Sequence, residues 1–427
     1  MSRARTMFFT ALLLGEAWAV RGHFGHEWGA AWAGAIGAMA VVVIARRADW
    51  LKRLPVLAAL GGVGWGAGGI MSYGVVIGYC RGTGFANVCY GYTMLAVIAG
   101  IQGFLGGGLL GLGLESGEER RPCWASLFTQ MVAAGYLIWG ILIHQFEWFM
   151  TPPRSELWAG CLGAALALAW FLQRGGFHRA LRVAAYSALG AGFGFAFGNF
   201  LQTMGSAAGL DYNWWNVMEF TLGFCGGLGM AYGIVSREWP TGAEPSRGAN
   251  GLAVWFVFLA IPAATIINTL DTESYLRLAE RLGIEDGLAF ARNQINTVWV
   301  LTLLLLAAAA WTWHRYQFKE AALSAVVAPA GLAAYAALYT IMSYIDAGLF
   351  LQPVDWTVSD TAYTPLLLLA LGVWFVTRRR EVAFVNAPRA HWVHWMSLGI
   401  VLAAVLLTIT AISVNAHDGL PGSHERF

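Results

Sequence analysis

The segment EAWAVRGHFGHEWG, residues 16–29, concentrates ionisable groups inside an otherwise apolar stretch. With its second half helical, His23, His26 and Glu27 stand at i, i+3 and i+4 on one face, a spacing at which two imidazoles and a carboxylate can hold a divalent metal. His144 and Glu147, three residues apart at a similar expected depth, would complete a mononuclear or dinuclear site. The pattern HxxHE is neither HExxH nor HxxEH, and Gly22 and Gly25 interrupt it. A polar interhelical turn with wet or backbone-bonded histidines is therefore the competing reading.

Two carboxylates, Glu16 and Glu219, fall within apolar spans. An ionised carboxylate in hydrocarbon costs several kcal/mol unless it is paired or protonated, so each demands a partner, an ion or a proton. Arg21, or a histidine of the same segment, is the available partner. Glu16, Arg21 and Glu219 are thus the expected coupling or acid–base groups, with a static salt bridge between helices as the alternative. A third cluster, LDYNWWNVMEF at 210–220, sets Asp211, Asn213 and Asn216 beside Trp214 and Trp215. Ring faces flanked by amides suit a small polar or carbohydrate-like solute, and Asn199, Gln202 and Asp346 are expected to join them. Aromatic belts at membrane interfaces explain the tryptophans alone, without the amides.

The elements that must position these groups follow from composition. Of 427 residues, 58% are hydrophobic and 12% charged, where a soluble domain carries roughly twice that charged fraction. Mean hydropathy is +0.58, with 53 glycines and 21 tryptophans. Disorder, a coiled coil and a secreted disulfide scaffold are excluded, and a net charge of +2 provides no general basic field for nucleic acid. The fold class is all-α, a polytopic integral membrane protein. Apolar runs of the required length, about 20 residues, predict about thirteen transmembrane helices. They lie near 6–20, 28–45, 55–79, 91–114, 124–149, 155–173, 183–205, 215–235, 251–268, 297–313, 321–345, 364–377 and 393–414.

Placing the N-terminus in the cytoplasm puts most of the 26 basic residues on the inner side, including Arg46, Arg47, Lys52, Arg53, Arg378, Arg379, Arg380 and Arg389. The C-terminus is then periplasmic, and a bacterial inner membrane is the expected location. The polar candidates gather on the outer half, while the inner half offers mostly solvated basic loops. The opening residues have the outline of a signal peptide, but Glu16 in the would-be exit region favours a retained first helix.

Residues 1–427 read as a single membrane domain. Gly62, Gly64 and Gly66 recur as Gly190, Gly192 and Gly194, and Gly103, Gly106 and Gly107 as Gly223, Gly226 and Gly227. This is a weak echo between helix pairs 55–114 and 183–235, and close helix packing accounts for such glycines without duplication. In the region near 272–290, Tyr275, Leu278, Ala279 and Leu282 form an apolar stripe opposite Glu273, Arg277, Glu280 and Arg281, as in an interfacial helix. Residues 346–363 read as a loop, either a binding element or a plain connector. Cys80 and Cys89 share one outer loop, where a disulfide and two free thiols are both compatible with the sequence. The connection ARRADWLKRLPVL resembles the loop between the second and third helices of the major facilitator superfamily through Ala48, Asp49 and Arg53. The resemblance is confined to this loop; Trp50 and Lys52 stand where an arginine and a glycine are expected, and no residue role is carried over from it.

Three functions fit these residues. The first is a proton- or sodium-coupled secondary transporter of a small polar or carbohydrate-like solute. The second is a membrane-embedded enzyme with a periplasm-facing His/Glu site, in one form dependent on a divalent metal. The third is a membrane scaffold or assembly subunit. The bilayer is the one partner all three share, and the sequence fixes no oligomeric state.

Overall fold

The computed structural model describes residues 2–152, 155–267, 269–318, 324–347, 368, 372, 382, 384–387 and 392–427. Among the described residues the regular structure is helical, with one isolated bridge between Gly117 and Gly242. Hydrocarbon favours this outcome, because each backbone N–H and C=O must find a partner within its own segment. Nine of the described helices are long and apolar enough to cross a membrane. The expected span at 364–377 and the loop at 346–363 lie outside the described residues, apart from Asp346, Ala347, Leu368 and Gly372.

Helix α1 (Arg3–Val20) is capped by the Ser2 hydroxyl, which accepts from the Arg5 N–H. A 3-10 turn, Arg21–Phe24, leads through Gly25 at φ 83° into α2 (His26–Ala45). There follow α3 (Ala48–Lys52), α4 (Leu54–Gly69), α5 (Gly74–Tyr79) and α6 (Phe85–Glu115). Helix α7 (Trp124–Trp139) continues as a π-helical turn, Gly140–Gln145, before α8 (Leu157–Arg174), α9 (His178–Ala207) and α10 (Trp214–Val235). The remainder comprises α11 (Arg247–Trp255), a π turn at Phe256–Ala260, α12 (Ile261–Ile267), α13 (Thr272–Arg281), α14 (Gly287–Phe318), α15 (Ser324–Ala347) and α16 (Trp392–Ala416).

The centre is built by α1, α2, α4, α6, α9 and α10. Every residue of α2 from Gly29 to Ala45 is buried, so this helix is wrapped by protein on all sides. Glycine makes the surrounding contacts so close. A Cβ at Gly64 of α4 would stand 2.6 Å from the Leu105 carbonyl of α6, and one at Gly194 of α9 would stand 2.7 Å from both Cys225 and the Thr221 carbonyl of α10. Where lipid gives no hydrophobic reason for helices to associate, such backbone approaches supply dispersion contacts. The two hairpins that share the glycine echo therefore also share a mode of crossing. Trp65 sits between them: its indole covers Gly106, its far edge reaches Gly226, and its ring lies 5.1 Å from that of Trp18. Helix α15 joins this centre through Tyr339, stacked 4.2 Å from Trp32. The π turn after α11 leaves the Val257 carbonyl to accept from the Tyr335 hydroxyl at 2.8 Å.

Two sequence expectations change, and one left open by the sequence is decided. The span expected at 55–79 is interrupted at Ile70–Tyr73, splitting α4 from α5. The glycines before the break lower helix propensity, and Gly69 lies against the His26 carbonyl, where a Cβ would come within 2.5 Å. The region near 272–290 is two elements: α13, capped by Asp271 and ending at Gly283 with φ 67°, then the start of α14. The apolar stripe of α13 is real, with Tyr275, Leu278 and Ala279 buried, and Gly287 and Leu276 meet across the corner. Cys80 and Cys89 are free thiols, and the Cys80 thiol donates to the Val76 carbonyl.

The basic loops expected on the inner side are not all solvated. Arg53 is buried and donates to the carbonyls of Gly113 and Ser116 at the end of α6. Arg47 holds Asp49 and the carbonyls of Trp239 and Pro240, while Asp49 accepts from the Gly242 N–H. This clasp ties α3 to the ends of α6 and α10. At the other end of the bundle the C-terminal residues form a strap: the His424 N–H donates to the Gly78 carbonyl, and Asn87 bonds the backbone of both His424 and Arg426.

Candidate functional site

The turn between α1 and α2 carries Arg21 inward. It can fold onto α2 because Gly29 offers no side chain; a Cβ there would stand 2.5 Å from the Arg21 carbonyl. Helix α10 brings Glu219 to the same level, and the break between α4 and α5 frees Tyr73 to turn toward both. Arg21 Nη2 donates to Glu219 Oε2 at 2.7 Å and to the Tyr73 hydroxyl at 3.1 Å. The Tyr73 hydroxyl donates in turn to Glu219 Oε1 at 2.8 Å. Both carboxylate oxygens are thus engaged, and Arg21 and Glu219 are only 3% and 6% exposed.

Aromatic rings enclose the triad. The Arg21 guanidinium lies 4.7 Å above the Trp18 ring, a cation–π contact, and Phe195 of α9 meets Tyr73 edge-on at 5.1 Å. His26, at the first turn of α2, places Nδ1 3.3 Å from the Tyr73 hydroxyl. That hydroxyl has one proton and gives it to Glu219, so His26 can join the network by donating Nδ1–H to a remaining lone pair. The order Arg21, Tyr73, Glu219 with His26 at the rim is a proton-bearing chain from an exposed imidazole to a buried carboxylate.

Asn199 and Gln202 lie beside the triad. Asn199 is one turn beyond Phe195 on the same face of α9, and its amide approaches the Met218 sulfur next to Glu219. Asn199 Nδ2 donates to Gln202 Oε1 at 2.8 Å, leaving the buried Asn199 Oδ1 and Gln202 Nε2 without partners among the described residues. Buried amide groups ordinarily find partners, so this pair presents one open acceptor and one open donor.

Comparison with family models, curated proteins and solved structures found no match.

Of the sequence candidates, the structure brings Arg21, Glu219 and His26 together and sets Asn199 and Gln202 alongside. Glu16 is not part of the triad: Arg21, which the sequence offered to either carboxylate, goes to Glu219, and the buried Glu16 Oε2 has no hydrogen-bond partner among the described residues. At the start of α10, Asn213 caps the helix by accepting from the Asn216 N–H, and Trp214 donates to the Leu210 carbonyl while covering Gly205. Those two residues serve the local fold. Asp211 and Trp215 are exposed, and Asn216 Nδ2 is buried without a partner.

Among the described residues no three His, Cys, Asp or Glu side chains come close enough to hold an ion. His26 is committed to Tyr73, and Glu27 is exposed in the first turn of α2. His144 packs against Trp139 on the α7 π turn, and Glu147 is exposed with φ 53°. The side chains of His23 and Asp346 lie outside the described residues.

Sequence reasoning missed Tyr73. Its signal was the SYG step inside a glycine-dense apolar run, where a polar-tipped ring marks a helix break. It also missed two buried carboxylates with structural roles. Glu156 accepts from the Met150 and Thr151 N–H groups and the Trp158 indole, and Glu115 accepts from the Ala180 N–H.

Proposed function

We propose that this chain is a proton-coupled secondary carrier of a small polar solute. The triad Arg21, Tyr73 and Glu219 is its coupling element, and Asn199 and Gln202 contribute to the solute site. The observation that carries this reading is a buried charge cluster, with both Glu219 oxygens hydrogen-bonded, drawn from three segments at a helix break, near amides with unmet bonding capacity among the described residues. Interrupted helices and intramembrane ion pairs are the features from which carriers build midplane sites. Protonation of Glu219 would release Arg21 and Tyr73 toward an incoming solute; loss of that proton would restore the triad. Under this proposal the basic bias places the Arg47–Arg53 end in the cytoplasm, the Arg21 end outside, and the protein in a bacterial inner membrane.

A second reading has its own support. Toward the Arg53 end, the interior below the triad is filled by Trp18 and Trp65 against Gly106, Gly223 and Gly226. That apolar filling separates the triad from the polar groups at the Arg53 end and favours a membrane-embedded enzyme working from the triad's face alone, with His26 as its acid–base group. Substituted-cysteine labelling separates the two. In a variant lacking Cys80, Cys89, Cys123, Cys161 and Cys225, Ser72→Cys beside the triad is exposed to membrane-impermeant thiol reagents in proteoliposomes of known orientation. A carrier labels from both faces; labelling confined to one face overturns the carrier reading in favour of the enzyme.

A further inference from the structure

At the end of the bundle opposite the triad, a cavity of about 760 Å³ opens between the end of α6, the start of α9, the segment after α10 and the start of α16. Four arginines line it, Arg120, Arg179, Arg182 and Arg237, against one lining carboxylate, Glu115. Neutral groups orient Arg120 and Arg182, while Arg179 is paired with Glu115. Arg182 is 8% exposed; its Nε donates to the Ser236 hydroxyl at 3.0 Å, and its guanidinium lies 4.7 Å from the Tyr186 ring and 5.6 Å from that of Tyr232. Arg120 donates to the Gly176 carbonyl at 2.8 Å. Arg179 donates to the Glu238 carbonyl at 2.7 Å and shares Glu115 with the Ala180 N–H.

The opposite wall has a different chemistry. Trp395, on the first turn of α16, and Leu181 line the cavity beside the arginines, and Tyr186 bonds His394 at 2.9 Å. Forked donors of fixed orientation suit tetrahedral oxyanions, and an adjoining aromatic wall at a membrane helix end suits the glycerol and acyl roots behind a headgroup.

We propose that this cavity binds a phosphate-bearing ligand, with the arginines on the phosphate and Trp395 on the apolar remainder. The phosphate belongs either to an anionic phospholipid or to a soluble phosphate. The site is distinct from the triad and independent of the carrier reading.

The test uses the full chain in detergent, titrated separately with phosphatidylglycerol, phosphatidylcholine and inorganic phosphate, and reads the thermal-unfolding midpoint. Because a ligand bound to the folded state raises that midpoint, phosphatidylglycerol is expected to raise it saturably and phosphatidylcholine to leave it unchanged. If inorganic phosphate protects in the same manner, the source is a soluble phosphate; if phosphatidylglycerol alone protects, it is the lipid. The double variant Arg120→Gln/Arg179→Gln spares the buried Arg182 and is expected to weaken binding about tenfold or more, while Arg120→Lys/Arg179→Lys falls between it and the unaltered protein. Absence of protection by either phosphate source, or an unchanged response in the glutamine variant, overturns the proposal.

Discussion

The energetics of the candidate site reduce to which partner each buried polar atom finds. Glu219 accepts one bond at each oxygen, from Arg21 and from Tyr73. Removing the Tyr73 hydroxyl strands Glu219 Oε1 in a buried setting. Tyr73→Phe is therefore expected to cost roughly 1–3 kcal/mol, read as a lowered unfolding midpoint with the helical circular dichroism unchanged. Glu219→Gln keeps the shape but leaves the Arg21 charge buried without its counter-ion, and a loss of about 3–5 kcal/mol is expected in the same measurement. Sequence alone picked out Arg21, His26 and Glu219, since charge within an apolar run is expensive and demands explanation. It did not pick out Tyr73, because a phenol sits in apolar surroundings at little cost and nothing local distinguishes one of 14 tyrosines. Nor could it choose between Glu16 and Glu219 as the mate of Arg21, a choice made by how α1 and α10 are rotated against each other.

The decisive contacts between elements are backbone approaches at glycine, and these differ along a single helix. A Cβ at Gly106 of α6 would stand 2.5 Å from the Trp65 indole, whereas one at Gly100 meets only the Ala188 carbonyl at 3.7 Å. Gly106→Ala is thus expected to destabilise by roughly 1–3 kcal/mol through overpacking, and Gly100→Ala to stabilise by about 0.5–1 kcal/mol through helix propensity. Comparing the two unfolding midpoints checks the packing of the whole α4/α6 hairpin. The clasp gives a pH dependence. Burial raises the Asp49 carboxyl, but the Arg47 bonds, the Gly242 N–H and the charges of Arg47 and Arg53 outweigh it and hold the group below the ordinary aspartate range. A depressed folded value means the stabilisation is complete above about pH 4, the unfolded aspartate value, and is lost as pH falls below it. Asp49→Asn should flatten that acidic limb of a stability–pH curve; an unchanged limb contradicts the clasp. Helices such as α2, α6, α9 and α10 were legible from apolar length. The break at Ile70–Tyr73 was not, because an apolar run has the same composition whether it is one helix or two.

For the molecule as a whole, composition settled the class, and charge bias suggested which groups share an end. The structure sets Arg21, His26, Tyr73, Glu219, Asn199 and Gln202 at one end and the clasp of Arg47, Asp49 and Arg53 at the other, with Trp18, Trp65 and the glycine crossings between them. Trp65 is the hub of that middle layer, so Trp65→Ala should cost about 3–5 kcal/mol and loosen both hairpins together, seen as increased amide exchange in α6 and α10. Which helices face one another is long-range information: α1 meets α10 across nearly two hundred residues, and no local pattern encodes it. The carrier reading rests on Arg21 and Glu219 acting as one unit, and a double-mutant cycle of Arg21→Met and Glu219→Met, scored by unfolding free energy in detergent, tests this most directly. Interaction of about 2 kcal/mol or more, with the double variant more stable than the single losses sum to, is the predicted result; additivity within about 0.5 kcal/mol would contradict it.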